Sequence, residues 1–198
     1  MLEFSVCGVR CRLSLLFSAL LTVLLLCQPD GMAVVCMLAS LIHEGGHLLA
    51  MVLVGVPPER CTLSAFGARI EMGYHKITYV QNFVISVAGP LVNGIAAVVL
   101  WRCGALMPAT AHLVLAVLNL LPSMALDGGQ LLCCGLCMVG LAPLAERILQ
   151  ITSAITLLLL ASINLIMLFR GSGNLSLLVI SGYLAALTFF SDKMQKNS

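Results

Sequence analysis

Residues 32–54 read MAVVCMLASLIHEGGHLLAMVLV. A bilayer-spanning helix takes roughly 20 mostly apolar residues, and this segment is long enough. Its only histidines and acidic residue lie together near the middle, as His43, Glu44 and His47. An ionised group at the centre of a spanning helix costs about 2.5–3.5 kcal/mol, so such residues face a protein interior or a wet cavity. This stretch therefore implies a bundle of helices with a polar site inside it.

The rest of the chain agrees. Of its 198 residues, 61% are hydrophobic and only 9% are charged, against roughly 25% charged in soluble domains. The mean hydropathy is +1.09. No soluble fold of this length can hide so much apolar surface. The net charge of +2 and the lack of a long basic run argue against nucleic acid as a partner. Nine cysteines fall mostly in apolar runs, where a free thiol packs as a small hydrophobe. Cys133, Cys134 and Cys137 cluster on one stretch and are read as packing.

Working outward, the spacing predicts an all-α membrane protein of about six spans. The first covers about Leu13–Cys27 and the second about Met32–Val54, parted by the turn Gln28-Pro-Asp-Gly31. A third runs about Tyr79–Trp101. The fifth and sixth run about Ala145–Phe169 and Leu175–Phe190. Between Gly55 and His75 the polarity is mixed, and Cys61–Met72 alternates as in a short β-hairpin. The fourth, Ala109–Leu141, is interrupted by Asn119, Pro122, Asp127, Gly128 and Gly129. Broken backbone at membrane depth is tolerated only where protein or a wet cavity surrounds it, so this broken helix implies a site. One integral membrane domain, residues 1–198, accounts for the whole chain, with its polar core at about 32–141. With six spans and the N-terminus inside, eight of the ten Lys and Arg fall on the inner side and only Arg102 and Arg170 outside. Both termini are thus expected in the cytoplasm.

His43-Glu-Gly-Gly-His47 is an instance of H-E-x-x-H. Residues four apart share a helix face, so both imidazoles can reach one ion, while the glutamate beside them can serve as a general base. The plain structural alternative is a polar cluster that ties helices together by hydrogen bonds. Gly45 and Gly46 leave the helix surface bare beside the histidines, for a substrate backbone or a neighbouring helix. A hydrolytic zinc site needs a third protein ligand and an open position. Among the eight acidic residues, Asp127 is the one besides Glu44 that is embedded in apolar sequence. Gly128 and Gly129 permit a bend that turns its carboxylate inward. Asp127 also suits the cap of a helix beginning at Gly128. Read together, one Zn2+ would be held by His43, His47 and Asp127. It would activate a water whose proton Glu44 takes and passes to the leaving amine. Asn119 offers an amide for a substrate backbone or a developing oxyanion, or else a polar plug in the bundle. His75 and His112 sit near helix ends and are read as solvated or interfacial.

These blocks resemble the site-2 protease family of intramembrane zinc metalloproteases. The first is His43–His47. The second, Ala88-Gly-Pro-Leu-Val-Asn93, is like the family's A-G-P-x-x-N. The third, Asn119-Leu-Leu-Pro122 followed by Leu126-Asp-Gly-Gly129, is like N-x-x-P-x-x-x-L-D-G-G. The resemblance implies Zn2+ on His43, His47 and Asp127, Glu44 as catalytic base, and Asn119 and Pro122 at the substrate. It also implies a membrane-protein substrate in the lipid bilayer, regulated intramembrane proteolysis, a regulatory membrane partner, and the segment Cys61–Met72 as a membrane-associated hairpin that adds a substrate strand. Without a PDZ or CBS domain, the chain is similar to the compact branch found in bacterial cell membranes, which includes the sporulation protease that processes a sigma-factor precursor. A multi-span metal or ion transporter using the same His/Asp cluster is the alternative. A carrier has no need of Glu44, and no inverted repeat is visible.

Overall fold

A computed structural model describes residues 2–6, 9–13, 31–64, 67–72 and 77–169. The expected first span, apart from Leu13, and the expected sixth span lie outside the described residues, as does His75. The chain divides into two compact units, Met1–Leu118 and Asn119–Ser198.

The first unit is built on three helices, α1 (Met32–Leu53), α2 (Tyr79–Arg102) and α3 (Leu106–Asn119), the last residue of α3 opening the second unit. Helix α1 follows Gly31, whose φ of 74° is left-handed. It stops at Gly55, φ 77°, where Val56 N–H donates to Met51 O and Gly55 N–H to Val52 O. That pair of bonds satisfies carbonyls the helix end would otherwise orphan, and glycine takes the left-handed position without strain. Helix α2 opens on a capping box in which the Thr78 side chain accepts from Gln81 N–H and Gln81 Oε1 accepts from Thr78 N–H. The amide of Gln81 also reaches across to donate to Val54 O. At the other end, Arg102 lies 5.9 Å from the Trp101 ring, a pairing at home where a helix leaves a membrane.

Helices α1 and α2 pack along faces set by small residues. On α1 the buried positions Ala39, His43, Gly46, His47 and Ala50 recur every three or four residues. On α2 they are Ile85, Ser86, Gly89, Pro90, Asn93 and Ala97. The apolar contact is Ala50, Met51 and Ile85, flanked by Leu48, Val54 and Ala88. A Cβ at Gly46 would stand 2.9 Å from Ala88 O, so only glycine lets the two backbones come this close.

Four strands form one sheet in the order β1 (Leu2–Val6), β2 (Val9–Leu13), β3 (Pro58–Ser64) and β4 (Gly67–Met72). Strands β1 and β2 add to the expected hairpin, and Val9-Arg10-Cys11-Arg12-Leu13 alternates apolar and basic residues as strands do. Strand β2 pairs parallel with β3, Cys11 opposite Cys61, and β3 pairs antiparallel with β4, Cys61 opposite Ile70.

The second unit contains α4 (Asp127–Met138) packed on α5 (Ala142–Phe169). The fourth expected span is thus two helices, α3 and α4, with residues 120–126 between them. Three of the described helices are long and apolar enough to cross a membrane: Met32–Leu53, Tyr79–Arg102 and, within α5, Ala142–Met167. Their outward residues, such as Leu41, Leu49, Leu91, Val98, Leu158 and Leu165, are exposed and apolar. That is the surface expected where the solvent is hydrocarbon.

Candidate metal centre

Helix α1 places His43 and His47 one turn apart on its buried face, 5% and 8% exposed. Their Nε2 atoms face each other at 3.1 Å, with the rings nearly perpendicular at 86°. Two nitrogens held by one tetrahedral ion at about 2.0–2.1 Å lie about 3.3–3.4 Å apart. The pair therefore fits a zinc ion with little adjustment. The outer nitrogen of His47 is engaged as a ligating histidine requires, and that of His43 meets a side-chain amide. Nδ1 of His47 donates to the Ile85 carbonyl at 2.7 Å, and Nδ1 of His43 lies 3.2 Å from Asn93 Nδ2.

Helix α2 supplies this outer layer. Ile85, Gly89 and Asn93 are spaced by four and stand on one face. Pro90 contributes no N–H, so the helix ladder is thinned in the same turn that lends its Ile85 carbonyl to His47. A side chain at Gly89 would strike both imidazoles, meeting His47 and His43 ring atoms. Asn93 is wholly buried, and His112 of α3 lies against it, with Nδ1 2.9 Å from Asn93 Oδ1. This overturns the reading of His112 as solvated or interfacial: it is 3% exposed. Proximity to a helix end misled, because α3 is short and buries Ala109, His112 and Ala116 as one stripe. Asn93 stood in the quoted sequence block, but nothing local marked it as a partner of His43.

Glu44, next to His43, is half-buried. The two glycines differ. Gly46 is where α2 touches, whereas Gly45 is exposed, and a Cβ there would have nothing within 4 Å.

In the second unit, Asp127 is the first residue of α4, after an extended Leu126. The helix thus begins one residue earlier than the capping alternative assumed, and no side chain caps it. A carboxylate in this first turn is favoured by the exposed N–H groups and the helix dipole. Gly128 and Gly129 serve close approach. A Cβ on Gly128 would collide with Leu120 O, and one on Gly129 with Ser123 O. The backbone of the break thus folds back on the start of α4. Ser153 of α5 holds it there, accepting from Met124 N–H at 2.9 Å while donating to Leu149 O at 2.7 Å. Asn119 and Pro122 are half-buried and flank the start of this break. Cys133, Cys134 and Cys137 lie on α4 and are not disulfide-bonded, with Cys134 buried.

Comparison with known proteins gives three results. Residues 31–112 match peptidase family M50, the stretch that carries His43, His47, Asn93 and His112. A Synechocystis protein described as a candidate zinc metalloprotease is 30% identical over 102 residues, 46% of this chain. The match spans only 27% of that relative's length. The structure of a site-2 protease from Methanocaldococcus jannaschii shares the fold, with a TM-score of 0.61, 24% identity, and 92% of this chain and 91% of that one covered. The first two sequence blocks lie within the matched residues 31–112, and the fold agrees with that of the site-2 protease structure.

Proposed function

We propose that this chain, whose residues 31–112 are a peptidase family M50 segment, is a zinc-dependent intramembrane protease. The observation that carries the proposal is the His43–His47 pair: two inward-facing Nε2 atoms 3.1 Å apart on a helix apolar enough to span a bilayer. His43 and His47 would hold one zinc, with Asp127 as third ligand. Bound there, zinc supplies an activated water and a Lewis acid for the scissile carbonyl. Glu44 takes the proton and returns it to the leaving amine. Asn119 donates to the substrate backbone or to the oxygen that gains charge, and Pro122 shapes the same break.

A substrate helix must unwind before a peptide bond can reach this pair, since a helical carbonyl is already bonded. The bare, exposed surface at Gly45 suits an extended backbone, and β4, an outer strand of the sheet, offers an edge on which such a segment can add as a strand. The substrate class is therefore a membrane or membrane-associated protein. Six spans, cytoplasmic termini, a bacterial cell membrane, a regulatory membrane partner and a place in regulated proteolysis such as sporulation complete the reading. Glu44 favours this over ion transport: a carrier gains nothing from a proton acceptor beside its ligands.

The test is reconstitution in vesicles with a single-span membrane substrate. Glu44→Gln should retain zinc and lose cleavage by at least about a hundredfold; undiminished cleavage would overturn the mechanism. Asp127→Ala should lower zinc affinity, and unchanged affinity would remove it from the ligand set.

A further inference from the structure

Helix α4 carries three cysteines, Cys133, Cys134 and Cys137. Neighbours in sequence point in different directions on a helix, whereas residues four apart share a face. Cys134 is the packing residue of the three, 2% exposed. Cys133 and Cys137 are half-buried, and a side-chain hydrogen bond joins the two thiols. Such a bond is weak, because sulfur is a poor donor and a poor acceptor. What the pair offers is two soft ligand atoms held side by side on one rigid element.

Their place in the helix leaves them open to an ion. Cys137 is the last but one residue of α4, which ends at Met138, and residues 138–144 are all exposed. A cation arriving at this end meets the pair without travelling the length of the helix. The end of a helix, with its outward carbonyls, favours positive charge. Glu146 at the start of α5 is exposed and adds negative charge in the neighbourhood of Cys133, which raises the local concentration of cations.

The donor set then selects the ion. Thiolates take Cu+ and zinc. Zinc uses four ligands in structural sites and three from the protein in catalytic ones. Among the described residues no further His, Cys, Asp or Glu makes a three-ligand group with this pair. Two sulfurs alone do satisfy Cu+, a d10 ion that is stable between two thiolates in near-linear geometry. We propose that Cys133 and Cys137 form a Cu+ site, with the ion bridging their two Sγ atoms. Binding forms two Cu–S bonds and releases both thiol protons to water; neither copper nor sulfur changes oxidation state. The site shares no residue with the proposed zinc centre, whose imidazoles suit zinc. Asp127 of that centre is the first residue of the helix that ends at the copper site, so one short helix carries part of each.

The test uses the full chain in detergent with Cu+ kept reduced by ascorbate, and Ag+ as a redox-inert stand-in. Competition against a coloured Cu+ chelator reads affinity. Cys133→Ser and Cys137→Ser should each weaken Cu+ by more than about 100-fold, beyond the usual cost of losing an outer partner of a metal site. Cys134→Ala should bind as the wild type does. Maleimide labelling of the wild-type chain, resolved by peptide, needs no variant to fold: Cu+ or Ag+ should protect Cys133 and Cys137 together and leave Cys103 reactive. X-ray absorption should show two sulfur neighbours. Unchanged affinity in either serine variant, labelling of the pair that the ion does not slow, or a copper shell of nitrogen and oxygen overturns the site. Equal protection by Zn2+ overturns the choice of a two-coordinate ion. Failure of the protease reading leaves the proposal standing, since His43, His47 and Asp127 take no part in it.

Discussion

At the scale of single residues, the two glycines inside the H-E-x-x-H motif separate packing from access. A Cβ at position 46 meets the Ala88 carbonyl at 2.9 Å, and one at position 45 meets nothing. Gly46→Ala should therefore force α1 from α2 and destabilise the chain by about 1–3 kcal/mol. Gly45→Ala should be neutral or stabilising by up to about 1 kcal/mol, since alanine is the better helix former. Thermal unfolding of both variants in the same detergent checks the contrast. Equal losses would mean that the helix contact is not where the structure puts it. The sequence made the histidines legible because an i, i+4 pair is fixed by helix geometry alone. It did not reveal the Asn93–His112 contact, which joins positions 19 apart on two helices. That contact depends on how far each helix is rotated about its axis, and no local pattern encodes the rotation.

Among the elements, the break between α3 and α4 is the best determined by chemistry. Its sequence signs, a proline and a pair of glycines in apolar surroundings, located it within a few residues. What holds it is less visible. Ser153 gives the Met124 N–H its partner from another helix, 29 residues on. Ser153→Ala strips a buried N–H of its acceptor and should cost about 1–3 kcal/mol. Ser162→Ala on the same helix is the control: its hydroxyl bonds only to Leu158 O and is exposed, so its loss should change little. Denaturation of the two variants, with cleavage followed in parallel, distinguishes a structural clamp from an ordinary helix serine. The strands were the harder elements to foresee. Alternation over Cys61–Met72 marks a hairpin, whereas that over residues 9–13 is only five residues long and runs straight into an apolar segment. A parallel pairing with β3 across the whole of α1 is a non-local contact that no short window reveals.

For the whole molecule, the apolar outer surface and the proposed metal site rest on separate interactions. The helices bury their small residues on each other and turn leucine, isoleucine and valine outward, which lipid rather than zinc stabilises. The histidine pair is also held by contacts with its own helix and with α2. Chelation should therefore abolish cleavage and leave helical content nearly unchanged, lowering the unfolding midpoint only by the linkage expected of a bound ion, and added Zn2+ should restore activity. Circular dichroism before and after chelation checks this; loss of helix on metal removal would show the metal to be a folding element. The bond from His47 to Ile85 O has one more implication. Because the orientation of His47 is fixed by the backbone of the neighbouring helix, parting α1 from α2 would disorder the proposed metal site itself. If the chain is the protease proposed above, the seam between these two helices would stay shut through turnover, and a substrate would enter along a side of α1 other than this one.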